Sequence, residues 1–138
     1  MKKVFLLLLI TVTHVCKANC DGQNFNIEIS KSNYYDETAS LLATKIYNLM
    51  NEGNYESVRG YFTSEMKGAL TATKMKEAWI APQFQFGKII SFSKPDITEI
   101  QGYKTAIIHI VYEKGKADFE IDFNESNLIV GLWMKPAQ

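Results

Sequence analysis

The chain has 138 residues, of which 46% are hydrophobic and 22% charged, with 15 basic and 15 acidic side chains. This length and composition predict one globular domain with a real core and exclude a disordered tail and a multidomain enzyme. The lack of a basic excess argues against nucleic acid as a partner. Both cysteines lie near the amino terminus, so no disulfide is expected to stabilise the fold.

The first residues have the pattern of an export signal. Residues 1–3 form a basic start, and the apolar run at 4–12, interrupted only by Thr11, has the length of a signal-peptide core and is too short to span a bilayer. We therefore predict a signal peptide over residues 1–18 and an exported protein, periplasmic or extracellular. Without its three lysines the chain keeps 12 basic and 15 acidic side chains, a net charge of −3.

Two processing routes fit the end of this segment. Cys16 and Ala18 form a small-x-small cleavage site, which makes Asn19 the first residue of the mature chain. Alternatively, a lipoprotein signal makes Cys20 or Cys16 the acylated first residue. Cys20 is then the candidate lipidation residue, and the membrane is reached only through this lipid anchor.

Residues 19–33 are polar and lack a sustained period, which predicts a flexible tether before a single domain at 34–138. The domain begins with a helix. Over Asp36–Asn51 apolar residues recur at every third or fourth position, as one helical face requires, and Gly53 is a typical end signal.

Shorter helical segments are predicted next. Asn54 is placed to cap a second helix, which ends near Gly60. A third helical stretch covers Ser64–Ile80, with a break at which Thr73 is the predicted cap. Pro82 is predicted to end the helical half, because proline disrupts a helix interior.

From Phe84 the apolar period changes to that of strands. We predict a first strand over Phe86–Phe92, continued or paired by Ile97–Ile100, followed by a meander of three strands: Tyr103–Glu113, Ala117–Phe123 and Leu128–Met134. The fold class is therefore α+β, with N-terminal helices packed on one face of a curved antiparallel sheet of about four strands.

The middle strand of the meander has a period of two. Its apolar residues are Ala117, Phe119, Ile121 and Phe123, and its acidic residues are Asp118, Glu120 and Asp122. We expect the apolar set to face the helices and the acidic set to face water.

Five short motifs run through both halves of the domain: Gly53-Asn54-Tyr55, Tyr61-Phe62, Gly87-Lys88-Ile89, Tyr112-Glu113-Lys114-Gly115 and Gly131-Leu132-Trp133-Met134-Lys135-Pro136. With the order of the elements, they resemble the nuclear transport factor 2-like (cystatin-like) superfamily, and within it a bacterial group of exported domains of unknown function. The resemblance covers residues 39–136 and implies a cone-like domain with a pocket between helices and sheet. Superfamily members use this pocket for isomerisation, dehydration, epoxide hydrolysis or ligand holding, so the resemblance selects no activity.

His109 is the one candidate for acid–base chemistry, because histidine exchanges protons near neutral pH. It lies between Ile108 and Ile110 and is expected to be sheltered. No carboxylate stands two residues away on the same strand to orient it. A structural histidine with a partner and a catalytic histidine are both consistent with this position.

The candidate ligand-binding residues are Trp79, Tyr103, His109 and Tyr112. The alternative is that the aromatic residues only pack the core. The sequence contains no phosphate loop, no Cys/His metal spacing and no nucleophile elbow, so we expect no metal and no cofactor.

The expected function is a non-enzymatic exported domain that binds a small apolar ligand or a protein partner through its cone pocket or its sheet face. One alternative is an isomerase-like or dehydratase-like enzyme that uses His109 as acid or base. Another is a homodimerisation module.

Overall fold

The structure of the chain is a computed structural model that describes residue 34 and residues 36–137. The predicted signal peptide (1–18), the predicted tether (19–33) and the candidate lipidation residue Cys20 lie outside the described residues. The helices and strands below belong to one compact unit, Glu37–Gln138.

The first helix, α1, occupies residues 37–51 of this unit, as its apolar period predicts. Its inner stripe is buried: Ala39, Ala43, Ile46, Tyr47 and Met50. The helix ends at a sharp corner, where Gly53 has a φ of +76°, a conformation that glycine adopts without steric cost. The Asn54 N–H then donates to the carbonyl oxygen of Leu49 (2.8 Å), which satisfies one end group of α1.

Two short helices follow this corner, α2 (Tyr55–Arg59) and α3 (Ser64–Ala69). Asn54 occupies the N-cap position of α2, but its side chain caps no backbone N–H; its Oδ1 accepts from the Ser57 hydroxyl instead (2.8 Å). Thr63 does cap α3, because its hydroxyl oxygen accepts a first-turn N–H (3.3 Å).

Helix α4 covers Ala72–Phe86. The predicted cap was wrong by two residues, since Thr73 lies inside the helix. Thr71 is the cap, and its hydroxyl oxygen accepts the N–H of Lys74 (3.3 Å). Two neighbouring threonines offer the same chemistry, so the sequence alone does not distinguish them.

Pro82 does not end the helical half, contrary to the prediction, because α4 continues one more turn to Phe86. Proline in a helix interior costs about 3 kcal/mol. The last turn is held by contacts with the sheet: the Phe86 ring lies over Gly115 and 6.1 Å from the Tyr112 ring, and the Phe86 carbonyl oxygen accepts the Lys114 N–H (2.8 Å). Tertiary packing therefore outweighs the local preference.

Five strands form one antiparallel sheet, where the sequence predicted about four, and the α+β fold class is confirmed. The strands are β1 (Ile89–Phe92), β2 (Asp96–Ile100), β3 (Tyr103–Tyr112), β4 (Gly115–Phe123) and β5 (Ile129–Pro136). The strand order is β1-β3-β4-β5. Strand β2 lies on the same side of β3 as β1: β2 pairs with the first half of β3, and β1 pairs with the last residues of β3. The predicted first strand began three residues too early because Phe86 still belongs to α4.

The β2–β3 connection is a two-residue turn formed by Gln101 and Gly102. Their φ angles are +52° and +80°. Left-handed conformations at both central positions are those of a type I′ turn, whose twist matches that of the flanking strands.

The inner face of the sheet packs under the helices, and the predicted faces of β4 are confirmed. Its four apolar residues are at most 3% exposed. Trp79 of α4 joins the two layers, because its ring lies 5.2 Å from Phe119 of β4 and 5.6 Å from Tyr47 of α1, both edge to face. Aromatic rings therefore fill much of the interior.

A junction at Gly87 fastens the helices to the β3–β4 hairpin. Gly87 has a φ of +84°, and the Glu113 side chain packs against it. Glu113 Oε2 accepts the Lys88 N–H, and the Glu113 N–H donates to the Lys88 carbonyl oxygen, both at 3.0 Å. Two of the sequence motifs, the one around Lys88 and the one around Glu113, thus contact each other.

Both edges of the sheet are interrupted. On one side, residues 93–95 separate β1 from β2. On the other side, Ile129 at the start of β5 is covered by the segment after α2: its N–H donates to the Tyr61 carbonyl oxygen (2.7 Å), and its own carbonyl oxygen accepts the Thr63 N–H (3.1 Å). One edge is therefore split into two short strands, and the other is covered at Ile129.

Candidate functional site

The outer face of the sheet, which points away from the helices, carries an ordered set of side chains that we call the outer array. Its members are Asp96 of β2, Thr105 and His109 of β3, Asp118, Glu120 and Asp122 of β4, and Trp133 and Lys135 of β5. The three carboxylates of β4 lie on this face, as predicted, but neighbouring side chains cover them. The side chains of Asp118 and Glu120 are only 15% and 11% exposed.

Asp122 connects β3 to β5 through both of its carboxylate oxygens. Oδ1 accepts the Thr105 hydroxyl (2.6 Å), and Oδ2 accepts the indole N–H of Trp133 (3.2 Å). These bonds offset the cost of partly burying the carboxylate. Thr105 is fully buried, whereas Trp133 is 53% exposed, so the bond holds an exposed apolar ring in a fixed orientation.

Glu120 forms an ion pair with Lys135, whose Nζ donates to Oε1 at 2.7 Å. The lysine comes from β5, two residues beyond Trp133, which lies directly opposite Glu120, so the pair is diagonal across the two strands. Each carboxylate of β4 thus has a partner on an adjacent strand, and such cross-strand pairs contribute about 0.2–1 kcal/mol each.

His109 lies between two carboxylates from two neighbouring strands. Its Nδ1 is 2.7 Å from Asp118 Oδ1, and its Nε2 is 3.2 Å from Asp96 Oδ2. Its side chain is 51% exposed, so it is not sheltered as the sequence predicted. The hydrogen bond with Asp118 is the main cause that raises the pKa of His109 above its ordinary value; burial acts against this rise, and Asp96 adds to it.

The hydrogen bonds and ion pairs of the outer array hold its side chains in place. Both ring nitrogens of His109 face carboxylates, so neither points at open space where a substrate would lie. Among residue 34 and residues 36–137, no group of three or more His, Cys, Asp or Glu side chains is arranged to hold a metal ion. Within the same part of the chain, no helix has the length and apolar character needed to cross a membrane.

A small, partly open apolar cavity of about 60 Å³ lies between the helices and the last two strands. Its lining includes Met50, Met75, Trp79, Phe119 and Met134. Pockets that hold metabolites or drug-sized ligands measure roughly 300–1,000 Å³. The cavity therefore has room only for a group of a few heavy atoms.

Most of this fold, from the middle of α1 into β5, matches a known family. Residues 43–132 match the family described as a protein of unknown function (DUF3887). The chain belongs to the DUF3887 family. No curated protein and no solved structure matches the chain. The DUF3887 region contains all of the outer array except Trp133 and Lys135.

The four predicted ligand-binding residues lie within the DUF3887 region but on two faces of its sheet. Trp79 and Tyr112 are buried in the core, at 3% and 2% exposure, while Tyr103 and His109 lie on the outer face. The structure therefore does not bring the four residues together. Burial raises the pKa of Tyr112 to about 12, with Tyr47 adding to the rise, and its hydroxyl group has no hydrogen-bond partner among the described residues.

Tyr103 stands apart from His109 at one end of the sheet. It is 45% exposed and lines an open groove of about 460 Å³ between the turn at 101–102 and the loop at 124–126. In that loop, Asn124 Oδ1 accepts the N–H groups of Ser126 and Leu128, both at 3.0 Å. Six residues separate Tyr103 from His109, about 20 Å along a strand, so the groove and the histidine are separate sites.

Sequence reasoning did not single out Asp96, Trp133 or Lys135 as partners in one array. The period of two in β4 did reveal that Asp118, Glu120 and Asp122 share a face. Their partners depend on the register between strands, which the sequence of a single strand does not contain.

Proposed function

We propose that this DUF3887 protein is a non-enzymatic binding domain that holds a protein partner on the outer face of its sheet. The observation that carries the proposal is Trp133, which is 53% exposed and fixed by its hydrogen bond to Asp122. Tryptophan is among the residues that most often dominate binding energy in protein interfaces. A ring that is oriented before binding loses little conformational freedom when a partner arrives.

The charge around Trp133 indicates the kind of partner. The outer array has four carboxylates and two basic side chains, His109 and Lys135. A neutral or basic protein surface complements this face, whereas an acidic one is repelled. Ile100 and Tyr103, at 41% and 45% exposure, add apolar contact area at one end of the same face.

The interior offers weaker support for the other candidates. A small apolar ligand is the second candidate, because the cavity near Trp79 is apolar, but a volume of about 60 Å³ limits the ligand to a very small group. An enzyme that uses His109 has less support, since this residue lies on the outer face between two carboxylates.

Location and wider ancestry are part of the same proposal. The basic start and the apolar run at 4–12 support export to the periplasm or the extracellular space, with Cys20 as the anchor if the chain is a lipoprotein. The packing of helices on one face of a curved sheet supports a relationship to the nuclear transport factor 2-like superfamily.

Site-specific photo-crosslinking of the full chain in its own host tests the proposal. A crosslinking amino acid replaces Thr98, which is exposed and sits on β2 opposite Thr105 of the outer face. We expect a discrete adduct with a partner protein, and we expect the additional substitution Trp133→Ala to reduce the adduct at least tenfold, as loss of a dominant interface residue does.

Two controls define the result. Phe84→Ala removes another exposed aromatic ring, 87% exposed on α4, and should leave the adduct unchanged. A crosslinker at the exposed Lys76 of α4 should give no such adduct. An adduct that survives Trp133→Ala contradicts the proposal, and an adduct of twice the chain mass identifies the partner as a second copy.

A further inference from the structure

Three ionisable side chains form a bridge across three strands of the outer face. Asp96 comes from β2, His109 from β3 and Asp118 from β4. The imidazole ring lies between the carboxylates, with Nδ1 2.7 Å from Asp118 and Nε2 3.2 Å from Asp96. The two ends differ in environment: the Asp118 side chain is 15% exposed and that of Asp96 is 75% exposed.

The number of protons on the ring decides how many of these contacts are hydrogen bonds. The imidazolium form has two N–H donors and donates a hydrogen bond to each carboxylate. The neutral form has one N–H and one lone pair, so one nitrogen must then face a carboxylate without a proton between them. Only one of the two contacts survives deprotonation.

The contact to Asp118 is the one that survives. It is shorter, and its carboxylate is largely covered, so losing the bond leaves Asp118 poorly solvated. Asp96 stands in water and turns away at little cost. Neutral His109 therefore keeps its proton on Nδ1 and directs the lone pair of Nε2 toward the place that Asp96 vacates.

We infer that Asp96, His109 and Asp118 form a proton-controlled tie, which links the start of β2 to β3 and β4 through side chains when His109 is protonated and loses its Asp96 contact when His109 is neutral. The tie matters for β2 because, within residues 36–137, this strand pairs only with β3 and is separated from β1 by residues 93–95. The effect on partner binding rests on the function proposed above, whereas the tie itself does not.

Other charged groups on this face leave the tie intact. Those nearest to His109 along the strands and connections are Lys94 before β2, Lys116 and Glu120 on β4, and Lys135 on β5. Lys135 is paired with Glu120 (2.7 Å), which removes most of its influence on the ring. Ser93 Oγ accepts only the backbone N–H of His109 (3.0 Å) and leaves both ring nitrogens to the carboxylates.

The direction of the pH effect follows from the electrostatics. The two carboxylates raise the pKa of His109, with the hydrogen bond to Asp118 as the largest cause. The tie is therefore complete at pH values below the ordinary histidine pKa of about 6.5, and it is lost as the pH rises through the raised value.

Nuclear magnetic resonance of the full chain without any partner tests this inference. We expect the titration midpoint of His109 to fall in Asp118→Asn and to fall less in Asp96→Asn. Above the midpoint, the ¹⁵N shifts of the ring should report the Nδ1–H tautomer. The hydrogen-exchange protection of β2 amides, relative to intrinsic rates, should drop several-fold across the titration, while that of β4 stays constant.

Glu99→Gln is the matched control, because it removes a carboxylate from the opposite face of β2, across from Lys104, and should leave the His109 midpoint unchanged. His109→Gln keeps one donor without titrating and should make β2 protection independent of pH. An Asp96→Asn midpoint equal to that of wild type, or β2 protection that is constant across the wild-type titration, overturns the inference. Repeating the Thr98 crosslinking at a pH below and at a pH above the His109 midpoint then tests separately whether the tie affects partner binding.

Discussion

Phe119 is the residue on which the inner face of the sheet depends most directly. It is 1% exposed, and its ring meets Trp79 edge to face at 5.2 Å. Replacing the ring with a methyl group removes these contacts and leaves a cavity. We expect Phe119→Ala to lower the free energy of unfolding by about 3–5 kcal/mol, measured by denaturant titration.

The same substitution at Phe84 provides the comparison. Phe84 is 87% exposed, so Phe84→Ala should change the free energy of unfolding by less than about 0.5 kcal/mol. A loss below about 1 kcal/mol for Phe119→Ala would mean that the two faces of β4 are exchanged.

At this scale, the sequence predicted the faces of a strand but not the partners of its side chains. Alternation placed Phe119 inside and Asp118 outside, because successive side chains of a strand point to opposite faces. On β3 itself, no carboxylate lies two residues from His109. The two carboxylates that hold the ring come from β2 and β4, and they reach it through strand register.

Among the elements, α4 shows how a single cap fixes a helix start. The Thr71 hydroxyl oxygen accepts the N–H of Lys74, which otherwise lacks an intrahelical partner. We expect Thr71→Ala to lower the free energy of unfolding by about 1 kcal/mol, as loss of a threonine cap does. Thermal unfolding followed by circular dichroism measures the change.

Thr73→Ala is the paired variant for this prediction. Thr73 is exposed inside α4, where alanine is the better helix former, so this change should be neutral or slightly stabilising. If Thr71→Ala and Thr73→Ala lowered the free energy of unfolding equally, the assignment of Thr71 as the cap would be contradicted.

The elements themselves were predictable where a period runs long enough, and their ends were not. The apolar stripe of α1 and the alternation of β4 both gave the correct type of element. The end of α4 was misplaced because Pro82 is a local signal, whereas the contact of Phe86 with Gly115 is a tertiary one that no local pattern contains.

For the whole molecule, the contact of Phe86 with Gly115 is one of those that join the helices to the sheet. The Phe86 ring lies so close to Gly115 that a methyl group at this position would overlap it. We expect Gly115→Ala to lower the free energy of unfolding by about 1–3 kcal/mol, because the ring must move and the layers must separate slightly. Denaturant titration measures this loss.

Gly68→Ala is the matched change in the helical half. Gly68 lies in α3 with no heavy atom near the position of an added methyl group, so alanine should stabilise the helix by up to about 0.5–1 kcal/mol. We therefore expect the free energy of unfolding to fall in Gly115→Ala and to rise in Gly68→Ala. A stabilising Gly115→Ala would show that the junction is looser than its contacts indicate.

The broken edges of the sheet have a consequence for the behaviour of the protein at high concentration. Long, continuous strand edges are templates for aggregation, because their free N–H and C=O groups recruit strands from other molecules. Here one edge is divided by residues 93–95, and the other is covered at Ile129 and carries Pro136 at its end. These interruptions shorten the continuous edge that another strand could pair with, so we expect them to disfavour strand-to-strand assembly of the domain at high concentration.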